Sequence, residues 1–465
     1  MTPSHGFLYS QSTSVMLRLL VVLVCLGAVL GFQNGRIRSL GCRKSSMTTL
    51  KMADVGDKVN PREKRREILK SPMYNRMGFK EVRDNAKEQM EGYKSPLVAE
   101  LRENGGSITR GDVTVKLAEH FGFCWGVERA IAIAYEAREH FPDKTIHITN
   151  EIIHNPEVNE NLNEMDIKFL PGGLGNKDYS SVDDGDVVVL PAFGATIQEM
   201  DMLNKKGVQV VDTTCPWVSK VWNAVDSHIK KDQTSIIHGK YAHEETIATA
   251  SFCLDYLIVK DESEARYVAD YIVNGGDREE FLEKFKLAMS DGFDPDVHLK
   301  KVGLANQTTM YKRETKAIGR ILEVAMLKKF GPANLATHYA EFDTICDATQ
   351  ERQDAVTDMV EAKVKNKEDL DFVLVVGGFD SSNTAHLNEI PHMNEVKSFH
   401  IDRADRINAD NTIEHRLING DIVVEEGFLP KGKITIGVTS GASTPDKSME
   451  DALERIFMLS KLMNA

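Results

Sequence analysis

Residues 208–230 read VQVVDTTCPWVSKVWNAVDSHIK, and the fold can be argued outward from them. The β-branched run at 208–211 predicts a short buried strand. Thr213, Thr214 and Cys215 follow as a loop, and 218–230 has the apolar spacing of an amphipathic helix. The same unit of strand or extended segment, loop, cysteine and helix occurs twice more. Residues 113–117 lead through His120 to Cys124 and a helix over 127–138. Residues 342–346 (FDTIC) end at Cys346 and precede a helix over 351–365.

Further β-branched runs at 186–190, 235–237, 256–259, 302–305, 372–376 and 434–438 alternate with helical patterns. Such alternation implies parallel α/β layers with crossover helices. The expected fold is therefore α/β: three similar lobes with small, mostly parallel sheets in pseudo-threefold arrangement about one centre. The expected lobes are 112–215, 216–345 and 346–465, with a charge-rich helical insertion at about 265–300. Residues 54–111, polar and of mixed charge with helices near 62–70 and 81–91, form an arm or lid without evident chemistry.

The 465 residues carry 57 basic and 70 acidic side chains, a formal net charge of −13. No acid and six of the basic residues fall within 1–53, leaving 51 basic against 70 acidic in the rest. So acidic a body disfavours non-specific nucleic-acid binding. Residues 19–30 (LLVVLVCLGAVL) form an apolar run of 12. As a helix it would span about 18 Å, short of a bilayer's hydrocarbon core, and it suits a signal-peptide core instead. Residues 1–31 thus read as a signal peptide, and 32–53, which begin at Phe32 and lack acids, as a transit peptide. The pair resembles the bipartite presequence of algal complex plastids, which implies the plastid stroma and no stable membrane anchor after processing.

Cys25 and Cys42 lie in this removable segment, leaving Cys124, Cys215, Cys253 and Cys346. Cys253, in the apolar stretch 250–257, reads as core filler. No CxxC spacing exists among the other three, so any shared site is assembled by the tertiary fold. A helix start stabilises a thiolate by ~0.3–1 kcal/mol when exposed. Three thiolates suit an iron–sulfur cluster with one iron left open, an arrangement fit for substrate rather than for simple electron transfer.

Five polar loops also follow strands or precede helices: 151–156 (EIIHNP), 238–246 (HGKYAHEET), 306–309 (NQTT), 377–384 (GGFDSSNT) and 439–445 (TSGASTP). Singly, each is explained by helix capping. Together they form a donor-rich, acid-poor set suited to a diphosphate without a Walker loop. Pro171–Gly175 is glycine-rich but reads as a turn.

These motifs resemble one family, the 4-hydroxy-3-methylbut-2-enyl diphosphate reductases of the LytB type, in their plant and cyanobacterial branch. The likeness covers about 112–460 through FCWGV (123–127), HNPEV (154–158), DTTCPWVSKV (212–221), HGKYAHEET (238–246), NQTT (306–309), FDTICDAT (342–349), DSSNT (380–384) and TSGASTPD (439–446). The resemblance implies a 4Fe–4S cluster on Cys124, Cys215 and Cys346. It also implies removal of an allylic hydroxyl as water, giving isopentenyl and dimethylallyl diphosphates, with a ferredoxin-type electron donor. His154, His243, Ser381, Ser382, Asn383 and Ser443 are expected to hold the diphosphate, Glu245 to supply a proton, and Thr308 to orient or relay on the hydroxyl side. One departure stands out: the family's bacterial branch has a further phosphate-binding histidine where this chain has Phe193. Gly194, Lys240 or backbone groups are expected to compensate. On the thiols alone, a hydro-lyase with an open-iron cluster and a redox sensor or cluster carrier remain alternatives.

Overall fold

The computed structural model describes residues 60–173, 176–366 and 368–464, so the expected targeting segment lies outside the described residues. Val187–Leu190 (VVVL) and Phe372–Val376 (FVLVV) are buried along their whole length, as strands covered on both faces of a parallel sheet must be. Three main sheets result. The first runs Tyr74–Asn75, Gln209–Asp212, Val187–Leu190, Ile146–Ile148, Ile167–Phe169, all parallel. The second runs Tyr256–Val259, Thr234–His238, Val302–Asn306, Tyr339–Glu341, again all parallel.

The third has seven strands, in the order Ile422–Glu426, Thr412–Arg416, Ser398–Ile401, Phe372–Val376, Ile434–Ser440, Val113–Leu117, Ser107–Arg110. Its inner pairings are parallel and its outer ones antiparallel. Gly172–Gly173, in the glycine-rich turn, pairs antiparallel with Asn176–Lys177.

The cysteine units connect the sheets rather than staying within one each. From Val113–Leu117 in the third sheet the chain passes Cys124 and helix Trp125–His140 to enter the first sheet at Ile146–Ile148. From Gln209–Asp212 it passes Cys215 and helix Pro216–Lys230 into the second sheet at Thr234–His238. From Tyr339–Glu341 it passes Cys346 and helix Asp347–Asn366 into the third at Phe372–Val376.

Strand 113–117 therefore does not belong with the strands of a first lobe drawn at 112–215. It pairs in parallel with Ile434–Ser440, Val113 opposite Ile434 and Leu117 opposite Val438. Both edges of the first sheet are already taken, by Tyr74–Asn75 and Ile167–Phe169. The last strand of the chain offers the free edge where Val113 and Val115 become fully buried.

The 265–300 segment is helical as expected, with helices Glu262–Asn274, Arg278–Lys284 and Pro295–His298. It is core, however, rather than an appendage. Ala265, Val268, Tyr271, Ile272, Phe281 and Phe285 pack with second-sheet residues in one buried cluster. Its charges lie on the outer face of amphipathic helices, which is why the composition reads as peripheral.

The arm is equally integral. Its helices Pro61–Ile68 and Arg83–Met90 match the expected stretches closely. Tyr74 joins the first sheet, and its hydroxyl donates to the fully buried Asp212, which also pairs with Arg76 at 3.1 Å. Helix Pro96–Glu103, capped by Ser95, puts Leu97, Val98 and Leu101 into the third sheet's core. The segment straps the lobes from outside.

Candidate functional site: a three-thiol centre beside an anion-ready pocket

Each of the three cysteines stands at a helix start. Cys124 and Cys215 occupy the N-cap positions of their helices, and Cys346 immediately precedes its own. Their backbone amides are tied down by neighbouring loops. Cys124 N–H donates to Ala442 O at 3.1 Å, Cys215 N–H to Ala192 O at 3.0 Å, and Cys346 N–H to Thr308 O at 3.1 Å. The sulfurs are unpaired thiols that face one another electrostatically, Cys215 toward Cys124 and Cys346, and Cys346 toward Cys124 and Glu245.

Gly126 makes this approach possible. A Cβ there would sit 2.5 Å from Cys215 Sγ and 3.9 Å from Cys124 Sγ, so two sulfurs from different helices converge on the space a side chain would fill. Burial pushes the Cys215 thiol up to about 12 and the Cys346 thiol up to about 11. Thiols this reluctant to ionise need a positive inorganic partner to become ligands. Three thiols at helix starts around the Gly126 gap are a donor set compatible with an iron–sulfur cluster. Cys253, by contrast, sits in the core with its thiol on Thr249 O.

Glu245 lies at the rim, 2% exposed, in the first turn of helix Glu244–Ser251. Thr308 N–H donates to its Oε1 at 2.7 Å and Thr308 Oγ1 to its Oε2 at 2.8 Å. Both bonds favour the carboxylate, yet burial outweighs them and raises its pKa to about 7. The same Thr308 holds the Cys346 amide through its carbonyl, so acid, hydroxyl and thiol are joined within three residues.

The rest of the polar set surrounds this pair. His243 caps the Glu245 helix, its Nδ1 accepting Glu245 N–H at 3.2 Å. Burial first, and then His154, Lys240 and His386, lower its pKa to about 3. It is therefore a neutral imidazole with Nε2–H free to donate. His154 Nδ1 bonds Glu151 at 3.1 Å, while its buried Nε2 lacks a hydrogen bond.

Ser382 Oγ and Asn383 Nδ2 are likewise buried without partners. Asn383 Oδ1 accepts Ala442 N–H at 2.9 Å, which ties this loop to the Cys124 amide. Ser381 Oγ caps its helix by accepting Thr384 N–H, leaving its own hydrogen available. Ser443 Oγ donates to His154 O at 3.4 Å, and Gly378 approaches that carbonyl so closely that a Cβ would lie 2.1 Å from it. The eleven expected site residues thus lie on loops and helix starts that these contacts join to one another.

Phe193 takes a role that its composition alone conceals. Its ring stacks on His154 at 4.3 Å and 24° and meets His243 edge-on at 6.0 Å. It orients the two imidazoles in place of donating to a ligand. Gly194 turns the chain there at φ 87° against Trp222, where a Cβ would be 2.3 Å from the indole. Sequence reasoning missed Gln307, whose Oε1 accepts both Lys240 N–H and Thr246 Oγ1–H and so joins two of the loops. It also missed Glu244, whose carboxylate is 3.7 Å from His154 Nε2.

Sheets linked by cysteine-headed helices, with a buried acid and unpartnered donors at their meeting point, define an α/β enzyme built around a three-thiol centre. Residues 115–457 match the LytB protein family. A 4-hydroxy-3-methylbut-2-enyl diphosphate reductase of Nostoc sp. is 56% identical over 395 residues, 85% of this chain and 97% of that protein. Its counterpart in Synechococcus sp. is 56% identical over 397 residues, 85% of this chain and 98% of that protein. The solved E-1-hydroxy-2-methyl-but-2-enyl-4-diphosphate reductase of Plasmodium falciparum shares the fold, with a TM-score of 0.54 at 23% identity over 73% of this chain and 86% of that one. The chain belongs to the LytB family.

Proposed function

We propose that the protein reductively dehydroxylates (E)-4-hydroxy-3-methylbut-2-enyl diphosphate to isopentenyl and dimethylallyl diphosphates, the last step of the methylerythritol phosphate isoprenoid route. The observation that supports it best is the adjacency of the three thiols to the Glu245–Thr308 pair and to unpartnered donors on His154, Ser382 and Asn383. A 4Fe–4S cluster on Cys124, Cys215 and Cys346 would supply electrons and Lewis acidity at its one corner without a protein ligand.

The chain's own residues do the rest. His243 Nε2–H, His154, Ser381, Ser382, Asn383 and Ser443 fix the diphosphate and thereby place the allylic hydroxyl toward Thr308. Glu245 in its protonated form, which predominates below about pH 7, turns Thr308 Oγ1 into an acceptor of its proton, and Thr308 then donates its own hydrogen to the departing hydroxyl. In sum the substrate gains two electrons and two protons, its carbon–oxygen bond breaks, and water leaves. Enclosure by Phe193 and the five loops excludes bulk water from the carboxyl.

A one-electron carrier of ferredoxin type fits as donor, because the two electrons must arrive singly at a cluster. The presequence composition supports action in a plastid stroma. Among the described residues no helix is long and apolar enough to cross a membrane.

Anaerobic purification tests this reading. The mature protein should hold about four irons and four labile sulfides per chain, and should convert the allylic diphosphate only when a reductant is supplied. Colourless protein with full activity would overturn it, and turnover without reductant would point to a hydro-lyase instead.

A further inference from the structure

Two arginines outside the expected site reach across the cysteine helices in matching ways. Arg352, on the helix that follows Cys346, donates from Nη2 to Gly122 O at 2.6 Å and Phe121 O at 3.2 Å, two and three residues before Cys124. Arg129, on the helix that follows Cys124, donates from Nη1 to Thr213 O and Thr214 O, both at 3.4 Å, just before Cys215. Two of the three cysteine helices thus send a guanidinium to the loop that presents the next cysteine in a cyclic order. The third leg of that cycle, from the Cys215 helix to the Cys346 loop, has no arginine.

Arg352 carries the argument. It is 5% exposed, its Nε has no hydrogen-bond partner, and the carboxylates it faces are engaged elsewhere, Glu351 with His120 at 3.9 Å and Asp446 with Arg102 at 3.3 Å. An uncompensated buried cation costs several kcal/mol. The two anion-forming groups it faces first are Cys124 and Cys346, ahead of Glu351 and Asp446. Arg129, half-buried, faces Cys215 as well as Asp212, which Arg76 and Tyr74 already engage. Main-chain carbonyls accept from the Nη groups of both arginines but do not neutralise their charge.

We propose that Arg352, assisted by Arg129, is the built-in counter-charge of the three-thiol centre and sets its electron affinity. Reduction adds a negative charge to a cluster in a low-dielectric interior, and a fixed cation nearby stabilises the reduced form. The two arginines are positioning residues. They touch neither substrate nor reacting atoms, and act through the cysteine loops and the local potential. The inference rests on the reading that the three thiols hold an iron–sulfur cluster.

The test uses anaerobically prepared holoprotein of the wild type and of Arg352→Gln, Arg352→Lys, Arg129→Gln, Arg129→Lys and the surface control Arg320→Gln. Iron and sulfide are counted, and the cluster midpoint is read by redox titration followed by electron paramagnetic resonance. The glutamine variants should load iron and lose electron affinity about tenfold, a shift of about 59 mV to more negative potential for one electron. The lysine variants should stay near the wild type, as should Arg320→Gln.

Glutamine variants that load poorly while lysine variants load normally would also support a charge requirement. Full loading with an unmoved midpoint would overturn the proposal. Equal loss of iron in the lysine and glutamine variants would overturn it too, reducing both arginines to loop clamps. A wild type without iron would instead remove the cluster reading itself.

Discussion

At the scale of single residues, Glu245 is the group whose environment decides most. Its carboxyl is raised to about 7 from an ordinary 4.5 because burial outweighs both Thr308 hydrogen bonds. Protonated below about pH 7, it donates there, so turnover should fall as pH rises through that value. Glu245→Gln should remove this limb and cut turnover by roughly 10²–10⁴-fold, with substrate affinity little changed; a pH–rate profile of both proteins checks it. The sign for stability follows from the same shift. Raised above its unfolded value, the carboxyl contributes stability that is complete below about pH 4.5 and lost as pH approaches 7. Melting temperatures of Glu245→Gln should therefore lack that decline.

Phe193 gives a second residue-level expectation. Aromatic stacking is worth ~0.5–1.5 kcal/mol, so Phe193→Ala should free the His154 ring and raise KM by roughly 2–10-fold with less effect on kcat. Steady-state kinetics separate the two. The candidate site residues were legible in sequence because each lies in a short polar loop beside a strand or helix end. Phe193's stacking role was not, since a ring's partner is set by tertiary approach. Arg352 was still harder to see, because its carbonyl partners lie 230 and 231 positions away in the chain.

At the scale of elements, the helix start is the repeated device, and Gly126 is its most sensitive point. Alanine is favoured over glycine within a helix by up to ~1 kcal/mol, so Gly126→Ala should leave helix content and melting intact or slightly improved. The added Cβ would nevertheless lie 2.5 Å from Cys215 Sγ. Bound iron should drop several-fold, as an iron count beside a circular-dichroism melt will reveal; normal loading would show that the Cys215 loop can yield.

The three cysteine helices were readable from apolar spacing, and each proved two to four residues longer at its amino end than that spacing alone marks. Short strands were less readable. Ile146–Ile148 and Tyr339–Glu341 have three residues each, too few for a period, and the second contains Ala340 and Glu341, poor strand formers.

For the whole molecule, the cysteine helices and the arm are among the links between the sheets, so a cluster bound to all three sulfurs would tie the lobes together. Anything that binds the folded state alone raises stability by mass action. Stripping iron with a chelator under mild oxidation should therefore lower the melting temperature by several degrees, and anaerobic reconstitution should restore it; differential scanning calorimetry of both forms is the check. The overall class of fold was visible from the alternation of strands and helices. The placement of 113–117 was not, because beyond its hairpin with Ser107–Arg110 this strand waits for a parallel partner more than 300 positions later.

That wait has a consequence for how the protein is made. Strand 113–117 lies between Ser107–Arg110 and Ile434–Ser440, and the loop presenting Cys124 is anchored to Ala442 and Ser440. Neither contact exists until the carboxyl-terminal strand has left the ribosome. The first of the three site cysteines to be translated is thus the last to find its place, and an inorganic core on the three thiols would enter the finished polypeptide, not the nascent one.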